Sequence, residues 1–100
     1  MPMLCGGTGE TKPATPEVQK ICDEVKLQVE EKAGKTFEVF NAKQYKSQVV
    51  AGTNFFIKVH TGGDDFVHVR VHQALPHENQ KLTVHSLQSS KTKEDDIVYF

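Results

Sequence analysis

Gly34 divides this chain into two segments with different hydrophobic periods, and that division limits the fold more than any other feature. Upstream of it, Val18, Ile21, Cys22, Val25 and Val29 recur at the spacing of one helical face, while Glu17, Lys20, Asp23, Glu24, Lys26, Glu30 and Glu31 take the solvated positions. Thr15-Pro16-Glu17 supplies an N-cap, a preset first helical φ and an acidic first turn, and Gly34 after Lys32-Ala33 supplies the stop. A helix is predicted over about 16–33, with Leu27 off its stripe. Downstream the period becomes two. Strands are expected over 37–50, over 54–60 (Phe55, Ile57 and Val59 on one face), over 66–72 (Val67, Val69 and Val71 alternating with His68, Arg70 and His72), and from Leu82 to Leu87. Residues 88–96 read as a polar linker and 97–100 as a short terminal strand.

One amphipathic helix followed by a meander has one economical solution. The expected class is α+β: a single helix wrapped by a curled antiparallel sheet of four to five strands, with the valine face of 66–72 packed on the helix stripe. The 100 residues form one domain, in which 1–12, rich in Gly and Thr, make a flexible N-terminal trunk. Turns alternate ends along a meander, so the 48–53 and 73–79 connections fall at one end and the Gly62-Gly63-Asp64-Asp65 turn at the other.

The first of those connections has unusual chemistry. Gln48-Val49-Val50-Ala51-Gly52 sits where a tight turn belongs, yet only Gly52 is a turn-forming residue. An apolar tip facing water marks a contact surface. Leu75-Pro76, expected beside it, adds a second apolar connection, which favours exposure of both for binding over burial of the first as core.

Other functions are poorly served. The net charge of −1 and scattered lysines offer no field for nucleic acid, and no segment has the run of about 20 apolar residues that a membrane span needs. The first ten residues lack the basic start and apolar run of a secretion signal, and Pro2 breaks the myristoylation pattern. Two cysteines in unlike settings suit a reduced compartment, so a cytoplasmic location, extending to the nucleus, is expected. Cys22 lies on the helix stripe as a small core residue, and Cys5 sits in the trunk, where no catalytic geometry is held, so no enzyme is expected. The five histidines match no zinc spacing and are read as solvent-facing sheet residues, with no metal and no cofactor.

Gln48-Val-Val-Ala-Gly52 followed by Thr53-Asn54, with Leu75-Pro76-His77-Glu78-Asn79 downstream, resembles the cystatin family of papain-like cysteine protease inhibitors. Lys12-Pro13-Ala14-Thr15, Ile57-Lys58-Val59-His60 and Asp65-Phe66-Val67-His68 extend the similarity along nearly the whole chain. The length, the Leu75-Pro76 pair and the lack of a disulfide framework are similar to the stefin branch. The resemblance implies a reversible, tight-binding, non-covalent inhibitor of cathepsin-type proteases that blocks the active-site cleft with a wedge of three parts. These are Gly6 (or its neighbour Gly7) in the trunk, the run from Gln48 through Val49, Val50 and Ala51 to Gly52, and Leu75-Pro76-His77. It also implies a monomer able to exchange domains into a swapped dimer through the 48–52 hinge. His72 and His85 depart from the neutral or larger apolar residues expected at those places. The competing reading is a scaffold protein that keeps the fold and turns the same loop end to a non-protease partner.

Overall fold

A computed structural model describes residues 10–75, 81–98 and 100. The order of elements is β1 (Lys12–Pro13), α1 (Pro16–Ala33), β2 (Asn41–Val50), β3 (Gly52–Gly62), β4 (Asp65–Gln73) and β5 (Leu82–Lys91). The strands form one antiparallel sheet in the order β1-β2-β3-β4-β5, a pure meander with the helix on one face.

The ends of α1 are set by its sequence. Thr15 Oγ1 accepts from Val18 N–H at 3.2 Å, Pro16 opens the helix, and Gly34 takes φ 75° so that its N–H reaches Glu30 O at 2.8 Å. Val18, Ile21, Cys22, Val25 and Val29 are buried against Ile57, Val59, Val67, Val69, Val71 and Val84 of the sheet. Leu27, off that stripe, is 75% exposed.

Two glutamines fix the helix to the sheet, a role that hydrophobic periodicity does not reveal. Gln19 donates to Phe40 O at 3.1 Å and accepts from Ala42 N–H at 2.8 Å. Gln28 donates to Leu82 O at 3.2 Å and accepts from Val84 N–H at 3.0 Å. Each amide uses both its donor and its acceptor on backbone of a strand or of the residue leading into it, so both the position and the orientation of the helix are determined.

Several boundaries differ from expectation. The first long strand begins at Asn41 rather than residue 37, because Phe37 is tied back to the helix through Glu30 Oε2 at 2.8 Å and stacks on Phe40. The stretch 88–91, expected as linker, continues β5. Ile97, Val98 and Phe100 belong to no strand. Ile97 and Phe100 close the sheet face away from the helix instead: Ile97 is buried and Phe100 meets the Phe56 ring edge-on at 5.6 Å, while Val98 is exposed. Arg70 donates to Phe100 O at 2.8 Å and lies over the Phe56 ring.

That covering corrects the reading of the histidines. His68 is 0% exposed rather than solvent-facing, because Lys58, its register partner, donates to Lys93 O at 2.8 Å and draws the C-terminal segment over it. The sheet therefore has a small second core on its outer face.

Candidate functional site

The apolar run forms the tip of the β2–β3 hairpin. Ladder pairing runs almost to the apex, with Val49 opposite Thr53 and Val50 opposite Gly52, so that Ala51 alone tops the turn. β-Branched valines suit such a strand end, and Gly52 supplies the φ of 100° that closes it. Val49 is 81% exposed and Val50 42%, whereas Gln48 and Gly52 are buried. The Gln48 side chain turns inward and accepts from Asn54 Nδ2 at 3.0 Å across the hairpin. Gln48 thus braces the tip, while Val49, Val50 and Ala51 present it.

Strand β4 places the second connection beside this tip. Thr53 pairs with Gln73, and the His72 ring shares a 2.8 Å hydrogen bond with the Ala51 carbonyl, donating through Nε2. Ala74 N–H donates to Lys81 O at 2.8 Å, closing the base of the β4–β5 connection. Leu75 is half-buried at that end, and Pro76 and His77 lie outside the described residues.

The His72 bond is specific to a polar side chain at this position and was not foreseen from sequence. The His72 and His85 rings meet edge-on at 5.6 Å, which explains how the two departures noted above coexist. Burial first, then Arg70, His72 and Lys32, hold the His85 pKa below its ordinary value.

Gly6 and Gly7 also lie outside the described residues. The strand that follows them is ordered: Lys12 pairs with Tyr45 and Pro13 with Gln44, and Ala14 N–H donates to Lys43 O at 3.0 Å. Because β1 is antiparallel to β2, its N-terminal end faces the end of β2 that carries Val49 and Val50.

The described cysteine is not a nucleophile. Burial, and secondarily the Asp23 charge, push the Cys22 thiol up to about 12, so it stays protonated and unreactive inside the core. Among the described residues no three His, Cys, Asp or Glu side chains converge to hold a metal ion. Among the described residues no helix is long and apolar enough to cross a membrane.

Comparison with known proteins agrees with this geometry. The Cystatin domain profile matches residues 6–94. Cystatin-B of Homo sapiens is 57% identical over 98 residues, spanning 98% of this chain and all of the relative. Cystatin-B of Sus scrofa is 56% identical and that of Bos taurus 54%, with the same coverage. A matched domain, near-complete coverage and a helix on a five-stranded antiparallel sheet agree: the chain belongs to the cystatin family, in its stefin branch.

Proposed function

We propose that this chain blocks the active-site cleft of papain-like cysteine proteases, lysosomal cathepsins among them, with an apolar edge built at one end of its sheet. As a cystatin it is an inhibitor of cysteine proteases and not an enzyme. The observation that carries the mechanism is the pairing of an exposed Val49-Val50-Ala51 tip with the β4–β5 connection on the same rim. In this reading Val49, Val50 and Ala51 enter the cleft, Gln48 and Gly52 hold their shape, and Leu75, Pro76 and His77 form the second edge. Gly6, with Gly7 beside it, forms the third, since β1 is directed toward that rim and a glycine permits close backbone approach.

Inhibition is reversible and non-covalent because the tip peptide bonds are held in a tight, ladder-paired turn rather than presented in line to a thiolate. A tip fixed by the Gln48–Asn54 and His72–Ala51 bonds loses little freedom on docking, which keeps binding tight. The monomer is the inhibiting form, because opening the hairpin into a swapped dimer removes the turn that makes the edge. Residence in the cytoplasm, extending to the nucleus, belongs to the same proposal.

Titration into papain with a peptide substrate is expected to remove activity stoichiometrically, with recovery on dilution. Val49→Ala deletes two methyl groups at about 0.8 kcal/mol each, so the inhibition constant is expected to rise about tenfold. An unchanged constant would remove Val49 from the contact. Gly6→Arg and a truncation past Gly6 are each expected to weaken inhibition, and more for an endopeptidase whose cleft is open at both ends. Full inhibition by both variants would leave a two-part edge.

A further inference from the structure

The hairpin end opposite the tip carries a concentration of positive charge unrelated to the protease edge. Ala42 pairs with Val59 and Gln44 with Lys58, which leaves Lys43 as the extra residue of a β-bulge. Ala42 and Tyr45 both pack against the helix-side core, so the bulge turns Lys43 and Gln44 together onto the outer face. There they share a groove of about 520 Å³ with Lys58 and His60 of β3, Phe66 of β4 and Lys93 of the C-terminal segment. Three ammonium groups and an imidazole line this groove, and among the described residues no carboxylate does. The contrast with a chain of net charge −1 is local and sharp.

Lys58 is the informative member. It is only 4% exposed, and among the described residues its ammonium has one partner, the Lys93 carbonyl. An ammonium has three donors, and a buried cation without a carboxylate or equivalent anion is costly. A charge of this kind on the wall of an open groove is a preformed half of an ion pair.

We propose that this groove binds a small phosphorylated molecule carrying two or more negative charges, with Lys43, Lys58 and Lys93 as its cationic walls. The neighbouring hollow, about 300 Å³, shares Phe66 and Lys93 but adds Asp64 and Glu94. Those carboxylates end the positive run within one groove length, which suits a compact ligand and repels an extended polyanion. The imidazole of His60 is oriented by a 2.8 Å bond from Nε2 to Gly63 O and packs on Phe66 at 5.0 Å between ring centres. The two rings offer a flat ligand a stacking wall beside the phosphate.

The groove lies on β2, β3, the start of β4 and the C-terminal segment, away from Val49–Gly52, so the site is independent of the inhibitory reading. The test is titration of the full chain at low ionic strength with tripolyphosphate and with ATP, followed by amide and side-chain NMR shifts and by thermal melting. Saturable shifts centred on Lys43, Lys58, His60 and Lys93, with a raised melting temperature, are expected. Lys43→Glu and Lys93→Glu are each expected to weaken binding at least tenfold while papain inhibition stays as it was. Lys20→Glu, the same charge change on the helix, is expected to leave binding unaltered. Lys58→Met also cuts the bond to the C-terminal segment, so the two exposed lysines carry the test. Equal affinity for the two probes assigns recognition to charge, and tighter ATP binding adds the Phe66–His60 wall. The proposal is overturned by shifts that do not saturate, by equal weakening in Lys20→Glu, or by a phosphoserine peptide binding tighter than both probes.

Discussion

Gly52→Ala is expected to weaken protease inhibition about a hundredfold or more while the helix and sheet persist. Two separate penalties meet at this residue. Its φ of 100° is a conformation that L side chains rarely adopt, at a cost of roughly 1–3 kcal/mol. A Cβ would also run into the Gln73 carbonyl oxygen and lie 2.9 Å from His72 Nε2. The obstruction is backbone, so β3 and β4 must separate at the tip end, which pulls Ala51 from His72 and shifts the Val49–Val50 edge relative to Leu75. Gly34→Ala is the matched control. Its φ is 75°, yet an added Cβ meets nothing within 4 Å, and it lies at the helix end. Both variants are expected to lose stability in urea unfolding, but only Gly52→Ala to lose inhibition. Equal inhibition constants for the two variants would show that tip geometry is not what the protease reads.

The contrast between those glycines also explains which parts of the molecule could be read from its letters. Periodicity identified the helix stripe and the valine face of β4 because each buries one side against the other, and the caps of α1 came from local chemistry at Thr15, Pro16 and Gly34. The tip was found because its apolar residues break the rule for turns. Features made by long-range polar contacts were not legible. Gln19 and Gln28 look like ordinary solvated helix positions, and only the fold brings strand backbone within their reach. The same holds for Gln48, whose inward turn depends on Asn54 across the hairpin. The terminal residues misled for a related reason: the apolar run Ile97-Val98-Tyr99-Phe100 reads as a short strand, but Ile97 and Phe100 are spent as anchors on the outer sheet face. His68 was misplaced with them, since its burial depends on a segment more than twenty residues downstream.

Lowering the pH from 7 to 4 is expected to remove stability through His68, and His68→Leu is expected to abolish most of that loss. The ring is wholly buried, and among the described residues neither nitrogen has a hydrogen-bond partner. Burial, then the charges of Lys58 and Lys91, lower its pKa from 6.5 to about 4, with Asp95 opposing. The folded protein therefore holds this histidine neutral where the unfolded chain protonates it. Stability from the neutral ring is complete above pH 6.5 and drains away as pH falls toward 4, by about 2–3 kcal/mol after allowance for partial screening. Asp95 acts in a different window: hydrogen bonding to Thr92 lowers its carboxyl pKa, so its contribution is present above about 3.8 and is lost only in stronger acid. Urea unfolding of the native chain and of His68→Leu at pH 7.5 and 4.5 separates these effects. The leucine variant removes two unsatisfied buried nitrogens, which cost about 1–3 kcal/mol when left unpaired, so it is expected to equal or exceed native stability at pH 7.5. At pH 4.5 its advantage is expected to widen by about 2 kcal/mol or more. Parallel losses in both proteins would assign the acid sensitivity to carboxylates and would mean that water reaches the His68 ring despite the C-terminal segment drawn across it.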